Sequence, residues 1–318
     1  MTISPEEQRQ AREQKEEARE REIVNAITNV QDEATQIDII MKNRRCFAPA
    51  LDGNGKFYPI VQDYMRSDAK AQDVAKKLLG PINDAILQNR KDLNFGDLWI
   101  SIIHSAKRLP FRDTVGLDKL VILMKAIKSS SPPPTAKDPD VYVCLRGFGW
   151  DARETMNDSP GCGSGYLLPE VHAYANMLYF YALLTVEQVS NFWIYCIWEM
   201  RSALETPYED DALHRAHHPG TAIQKYNATI PSAAVWILAA GRQVYEREYD
   251  LTPKRATQGN PGSGGPLWEG KAEFSKKRWG LWKKRFEELA ELDGLTEEVK
   301  GIAKETAGIM NRIDGGSK

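Results

Sequence analysis

Apolar residues recur at spacings of three and four over most of the chain, which is the pattern of helices with one buried face. Leu98, Ile102 and Ile103 show it in one segment, and Leu117 and Leu120 show it in the next. The pattern predicts helices over 59–78, 81–91, 95–107, 115–128, 168–184, 186–206, 231–248, 271–291 and 295–313. We therefore predict an all-α fold, an irregular multi-helix bundle, in which 141–145 is the one plausible strand.

Two segments depart from this pattern. Residues 5–30 begin with Glu and Arg or Lys at nearly every second position, which predicts an exposed helix or a partly disordered arm. Residues 129–167 are rich in Pro, Gly, Ser and Asp and predict a long central loop, either a linker or a functional flap. The predicted division is a charged N-terminal helix or arm (1–30) and one helical domain (31–318), whose halves 56–128 and 168–313 are joined by the loop.

Composition and charge argue against several classes of function. The 318 residues are 42% hydrophobic and carry a net charge of −2, without the basic stripe that nucleic-acid binding requires. No apolar run is long enough to cross a membrane, and the four scattered cysteines are typical of reduced thiols. We expect a cytoplasmic protein whose partners are neither nucleic acids nor membranes.

The segment 186–206 is apolar over most of its helical circumference, so we expect it to be buried. Arg201 and Glu205 fall inside the apolar stripe, four residues apart, and buried charges need partners. They either form a structural ion pair with each other or face a pocket and contact a substrate. Glu199 lies on the opposite side of the helix and is expected to face solvent.

Aromatic residues favour an aromatic wall for any such pocket. Trp198, Trp236 and Trp279 are its candidate walls, and Tyr195 and Trp150 are further candidates for binding a substrate, although packing of Trp236 and Trp279 in the core explains their helical spacing equally well. The loop residues 147–157 mix aromatic, charged and amide groups, as functional loops often do. Arg153 and Glu154 therefore join Arg201 and Glu205 as candidate catalytic residues, unless 147–157 is a short helix in which they satisfy nearby backbone groups.

The motifs for cofactors are weak. Residues 265–272 have the spacing of a phosphate-binding loop but lack the preceding strand and the hydroxyl residue that holds magnesium. His214, His217 and His218 follow two aspartates, but an exposed polar segment explains them better than a metal site. We expect neither a cofactor nor a bound metal.

Several stretches occur together in a distinctive order: Phe95–Ala106, Gly149–Asn157, Trp198–Glu205, Ala233–Gly241 and Trp268–Trp282. Over roughly residues 56–312 the chain resembles the fungal proteins grouped as domain of unknown function 3632. The resemblance implies a filamentous fungal source and an all-helical fold, and it supplies no catalytic residues. Because members of such families sometimes lie among genes of secondary metabolism, it also permits a role on a terpenoid or polyketide intermediate.

Two functional hypotheses follow. In the first, the protein binds or acts on a hydrophobic small molecule in an aromatic-lined helical pocket, as a cofactor-independent isomerase or cyclase, even a pericyclase. In the second, it is a non-enzymatic interaction scaffold or regulatory protein that contacts partners through its charged N-terminus and its Pro-rich loop.

Overall fold

The described residues, 4–51, 55–91, 93–212, 218–255, 257 and 259–316, form an all-α fold in this computed structural model. The helices are α1 (Pro5–Ile27), α2 (Glu33–Arg44), α3 (Tyr58–Arg66), α4 (Ala71–Leu87), α5 (Gly96–Lys107), α6 (Thr114–Lys128), α7 (Phe148–Thr155), α8 (Leu168–Val186), α9 (Trp193–Leu204), α10 (Ala222–Glu246), α11 (Lys276–Ala290) and α12 (Glu297–Gly315). A 3-10 turn (Met156–Asp158) follows α7, and β1 (Tyr249–Asp250) pairs antiparallel with β2 (Glu273–Phe274). None of these helices is long and apolar enough to cross a membrane.

The charged N-terminal segment is a helix, as one of the two alternatives predicted. Ser4 accepts a hydrogen bond from the Glu7 amide at 3.2 Å, and the Glu7 carboxylate accepts one from the Ser4 amide at 2.8 Å. This reciprocal cap satisfies backbone donors that a helix start leaves free. The side chains described between residues 4 and 15 are exposed, and α1 becomes buried only near its end, at Ile23.

The helix α8 lies at the centre of the molecule and contacts α2, α5, α6, α9 and α10. Fifteen of its residues are buried, so it is apolar on all sides, as expected of a helix enclosed by others. The main hydrophobic core runs from Phe57 to Met310 and draws on both predicted halves of the chain.

A smaller cluster fastens the N-terminal helix pair to this core. Ile23 of α1 packs with Ile37, Ile40 and Met41 of α2 against Ala173 of α8. The pair α1–α2 is thereby held beside the start of α8 by apolar contact.

Small residues on α10 allow a close contact with α12. A Cβ atom at Gly241 would lie 2.9 Å from Cδ1 of Ile313 on α12, so a side chain there would separate the two helices. Beside it, Ala240 leaves helical geometry and kinks α10. Trp236 fills the adjacent core and is fully buried.

The predicted helix boundaries between 59 and 91 are wrong. The chain breaks at Ser67, which is extended (φ −123°, ψ 168°), so that 59–78 is divided between α3 and α4. The helix α4 continues through Pro81 without ending there. Packing of eight buried residues of α4 outweighs the backbone hydrogen bond that this proline cannot make.

The predicted strand is also corrected, and the predicted central loop contains one short helix. Residues 141–145 form turns, because Leu145 adopts a positive φ of 48°, which no strand tolerates. The Tyr142 hydroxyl donates to Asn83 Oδ1 at 2.6 Å and ties the turns to α4. The stretch 129–167 also contains α7, which is the short-helix alternative predicted for 147–157.

Two further boundaries differ near the site described below. The helix predicted from 186 begins at Trp193, because Gln188 has a positive φ of 56° and ends α8. The helix predicted from 231 begins at Ala222, where Thr221 caps it by accepting a hydrogen bond from the Gln224 amide.

Candidate functional site

A buried glutamate that belongs to no ion pair within the described residues lies in the second turn of α9. Glu199 is 7% exposed, and its side of the helix also carries Cys196 and Ala203, both fully buried. One carboxylate oxygen accepts a hydrogen bond of 2.9 Å from the Tyr174 hydroxyl of α8. Across the ranges that the structure describes, no lysine, arginine or histidine lies within ion-pair distance of it.

Burial raises the pKa of Glu199 to about 7, although the Tyr174 hydrogen bond and the positive charge of Arg201 oppose this rise. Burial also raises the pKa of Tyr174 well above 10, so Tyr174 stays protonated and acts as a donor. Near neutral pH the Glu199 carboxyl therefore exists in both protonation states. A carboxyl group in this condition can donate or accept a proton at physiological pH.

Glu199 lines a cavity of about 1080 Å³, called here the central cleft. Its walls come from the end of α7 and the following residues, from α8, α9 and α10, and from two loops. They are Arg153, Met156, Asn157, Ser159–Cys162, Tyr166, Tyr174, Trp198, Glu199, Arg201, Ser202, Thr206, Tyr208, Asp211, Lys225, Ala228, Thr229, Ser232 and Gly259–Pro261. The volume is at the upper end of the range for small-molecule sites.

Two arginines and a tryptophan form one side of the central cleft. The Arg153 guanidinium lies 5.0 Å from the centre of the Trp198 ring, and Tyr195 stacks on Trp198 at a centroid distance of 5.0 Å. The indole nitrogen of Trp198 donates to the Pro261 carbonyl at 2.9 Å. Arg201 donates from Nη1 to the carbonyl and the hydroxyl of Ser263, both at 3.2 Å.

The loop that carries Pro261 and Ser263 is held by a buried ion pair. Glu205 and Arg278 have fully buried side chains and are joined by two hydrogen bonds, of 2.7 and 3.0 Å. Glu205 also accepts from the Trp282 indole at 2.7 Å and from the Gly265 amide at 2.8 Å. Arg278 donates in turn to the Gly262 carbonyl at 3.1 Å. The pair thus fixes the loop against α9.

The structure corrects the placement predicted for Glu205. It pairs with Arg278 rather than with Arg201, and its four hydrogen bonds leave it inside the protein, away from the central cleft. The physical reason is that α11 places an arginine against the end of α9, which one helix viewed alone does not reveal. Arg201 is half-buried on the cleft wall, in the position that the sequence predicts for a ligand contact.

The aromatic candidates divide between the cleft and the core. Trp198 lines the cleft. Trp236 and Trp279 are 0% and 2% exposed and pack in the core, so they do not wall the cleft, and the packing alternative holds for both. Tyr195 is buried behind Trp198 and lies in a second layer, whereas Trp150 is 72% exposed outside the cleft.

The two candidates on α7 also separate. Arg153 lines the central cleft, and Glu154, one residue further along the helix, does not. Their predicted catalytic roles stay predictions.

The residues that follow α7 are held in place by charged contacts with α2 and α5. Asp158 accepts hydrogen bonds from Lys107 Nζ at 2.6 Å and from the Phe47 amide at 3.1 Å. Glu170 accepts from the Gly165 amide at 2.9 Å and pairs with Arg44 at 2.8 Å. These contacts fix the wall that contains Ser159–Tyr166, and they connect the N-terminal helix pair to the cleft.

A family model described as "Protein of unknown function (DUF3632)" matches residues 99–286, which is more than half of the chain. The chain belongs to the DUF3632 family. No curated protein and no solved structure matches it. The residues matched by the family model are fewer than those of the resemblance noted in the sequence, which covers roughly 56–312.

The matched part of this DUF3632 protein contains every residue that lines the central cleft, from Arg153 to Pro261. It also contains Arg278 and Trp282, which hold the loop. The helices α1 and α2 precede the match and α12 follows it. The fungal source that the resemblance implies stays a prediction.

Sequence reasoning missed Glu199, although a signal for it was present. Three apolar residues share the helix face of Glu199: Phe192 lies seven residues before it, Cys196 three before it and Ala203 four after it. A glutamate surrounded in this way on its own helix face is expected to be buried rather than solvated. Tyr174 carried no comparable signal, because it meets Glu199 only through the packing of α8 on α9.

Among the described residues, the segment 265–272 has no part in the central cleft. The Gly265 amide, at the start of the loop-like spacing 265–272, is used by Glu205. Residues 213–217, with His214 and His217, lie outside the described residues. Within the described ranges, no group of three or more His, Cys, Asp or Glu side chains is arranged to hold a metal ion.

Proposed function

We propose that this protein binds a small organic molecule in the central cleft and transfers a proton to or from it through Glu199. The observation that carries the proposal is a buried carboxyl group without an ion-pair partner in the described structure, facing a cavity of about 1080 Å³. An unpaired buried carboxyl lowers the stability of a fold, so its presence beside a cavity supports a functional role.

The walls indicate what kind of molecule fits. Met156, Pro160, Ala228 and Pro261 supply apolar surface, and hydroxyl and amide side chains alternate with them. This composition suits a molecule with an apolar framework and several oxygen atoms rather than a pure hydrocarbon. Of the three tryptophans that the sequence predicts as walls, Trp198 lines the cleft, together with Tyr166, Tyr174 and Tyr208.

Proton transfer by one carboxyl group suits an isomerisation or a cyclisation without a cofactor. The Glu199 carboxylic acid gives its proton to one atom of the bound molecule, and the resulting carboxylate removes a proton from another atom. The protein returns to its starting state, and the product has the same composition as the substrate. Such general acid–base catalysis contributes roughly 10²- to 10⁴-fold to a rate.

A thiol at the cleft wall provides a direct test. Cys162 and Cys144 are exposed, and only Cys162 lines the cleft, whereas burial raises the pKa of Cys46 to about 12 and that of Cys196 even further. A bulky maleimide therefore reacts with the two exposed thiols, since the thiolate is the reactive form. We expect labelling of Cys162, in a Cys144→Ser background, to abolish thermal stabilisation by compounds from a metabolite library.

The matched control is the label on Cys144 in a Cys162→Ser background, which should leave this stabilisation unchanged. Compounds that stabilise the protein are then incubated with it, and products of unchanged mass but new retention time are sought by chromatography and mass spectrometry. Glu199→Gln should lower the rate of any such conversion by at least ~10²-fold. A library that yields no stabilising compound, or stabilisation that survives the Cys162 label, would contradict the proposal.

The exposed first turns of α1 favour a second candidate function. The side chains described from Ser4 to Lys15 are exposed, so this charged surface is accessible to a partner protein. The chain would then be an interaction scaffold or a regulatory protein. The Cys162 label separates the two candidates, because partner binding through α1 does not depend on the cleft.

A further inference from the structure

Two arginines line the central cleft: Arg201 is half-buried and Arg153 is exposed. Arg44, Arg108 and Arg278 each lie within 3.1 Å of a carboxylate oxygen. In the part of the chain that the structure describes, Arg153 and Arg201 form no ion pair. A guanidinium on a cavity wall without a carboxylate is a natural contact for an anion from outside the protein.

Arg201 is held in one orientation through Nη1, and Nε and Nη2 are its further hydrogen-bond donors. Its Nη1 atom is engaged by Ser263, and the loop that carries Ser263 is fixed by Glu205 and Arg278. No acceptor among the described residues takes the N–H groups on Nε and Nη2. These two atoms form the planar fork that binds the two oxygens of a carboxylate or phosphate side by side.

The other charges around the central cleft leave an excess of positive charge. Lys225 is neutralised by Asp211, whose oxygen lies 2.5 Å from its Nζ atom. Arg153 rests on the Trp198 ring, a contact that orients the guanidinium without cancelling its charge. Glu199 is the remaining acidic group of the wall, and its protonated form adds no negative charge.

We propose that the ligand of the central cleft is an organic anion whose carboxylate or phosphate group is bound by Arg201 and Arg153. This inference rests on the proposed function and specifies its substrate class. The anionic group lies at the side formed by Trp198 and Arg201, and the framework extends toward Glu199, two residues earlier on α9. The hydroxyls of Ser202 and Tyr208, which lie 2.8 Å apart, and that of Thr229 belong to residues of the same cleft wall.

The test uses matched pairs of compounds at constant ionic strength. Each pair consists of a carboxylic acid and its primary carboxamide, with indole-3-acetate, 1-naphthoate and cinnamate as frameworks, and phenyl phosphate and inorganic phosphate form separate arms. Binding is measured by calorimetry and by the shift in melting temperature at pH 7. We expect the anions to bind the intact protein at least ~10-fold more tightly than their neutral amides, as charge-assisted hydrogen bonds predict.

The variants Arg201→Gln and Arg153→Gln should each remove most of this preference for the anion, while the weaker binding of the amides persists. Arg242→Gln is the matched control, because Arg242 is exposed and pairs with Glu246 on α10. If the protein binds the carboxylates more tightly than phenyl phosphate, or the reverse, the tighter class identifies the anionic group. Binding of inorganic phosphate alone shows a site for the free ion.

The outcomes separate this inference from the proposed function. Equal binding of acids and amides, or an anion preference that survives both arginine variants, overturns the inference and leaves the small-molecule cleft standing. Binding of neither member of any pair, together with an empty metabolite screen, contradicts both.

Discussion

Replacing Glu199 by glutamine should make the protein more stable at pH 8.5 and leave its stability nearly unchanged at pH 4.5. In the folded state burial raises the pKa of this carboxyl from 4.5 to about 7. A group whose folded pKa is raised contributes stability that is present below the unfolded pKa and is lost as the pH rises through the folded pKa. Above pH 7 the ionisation of Glu199 therefore lowers the free energy of unfolding of the native protein by about 3 kcal/mol.

Glutamine avoids this cost because it is neutral at every pH, and its carbonyl oxygen can still accept the hydrogen bond from Tyr174. The measurement is the free energy of unfolding in urea at both pH values, and the exposed Glu209 provides the control variant Glu209→Gln. A Glu199→Gln protein that is less stable than the native protein at pH 8.5 would refute this account. A gain in stability at the expense of activity is the behaviour expected of a functional residue.

Replacing Glu205 by glutamine should lower the free energy of unfolding by about 3–5 kcal/mol, because it leaves the Arg278 guanidinium buried without a counter-charge. Both side chains are 0% exposed, so water cannot replace the missing carboxylate. The loss should extend to the cleft, because the Ser263 carbonyl that holds Arg201 belongs to the loop fixed by this pair. Urea unfolding and the carboxylate binding test described above measure the two effects.

The matched control is Glu187→Gln, which removes one partner of a half-exposed ion pair with Lys125 at 2.5 Å. Exposed pairs of this kind contribute up to about 1 kcal/mol. Similar losses in Glu205→Gln and Glu187→Gln would mean that the buried pair does not hold the loop as described.

The sequence predicted the helices well because helical spacing of apolar residues is a local property. The helix α9 shows how much a local pattern predicts and where it fails. The burial of most of its residues follows from the distribution of apolar side chains around its axis, whereas the position of Arg201 on a cavity wall was one of two alternatives. The partner of Glu205 does not follow from this distribution, because Arg278 is distant in sequence and reaches α9 only through the packing of α11.

Glu199 illustrates a second limit. A helical projection sorts positions into an apolar and a polar side, and it assigned Glu199 to the polar side. In the structure both sides of α9 are covered, by α8 and α10 among others, and the cleft opens between them. A cavity is a gap left by several elements at once, so no single segment encodes it.

The break between α3 and α4 and the turns at 141–145 show where local rules fail in the fold itself. Ser67 and Leu145 are ordinary residues for a helix and a strand, and their conformations are set by what the neighbouring segments bury. The start of α1, in contrast, follows from local sequence, since Ser4 and Glu7 carry the reciprocal hydrogen bonds of their own motif.

The central claim is that Glu199 holds a proton near neutral pH within a cleft that a ligand can enter. The most direct test follows the side-chain carboxyl carbons of ¹³C-labelled glutamates by NMR from pH 4 to pH 9, with Glu199→Gln identifying the resonance. We predict that this one resonance titrates with a midpoint near pH 7, in agreement with the pKa of about 7 set by burial. A Glu199 resonance with its midpoint below pH 5 would contradict the account.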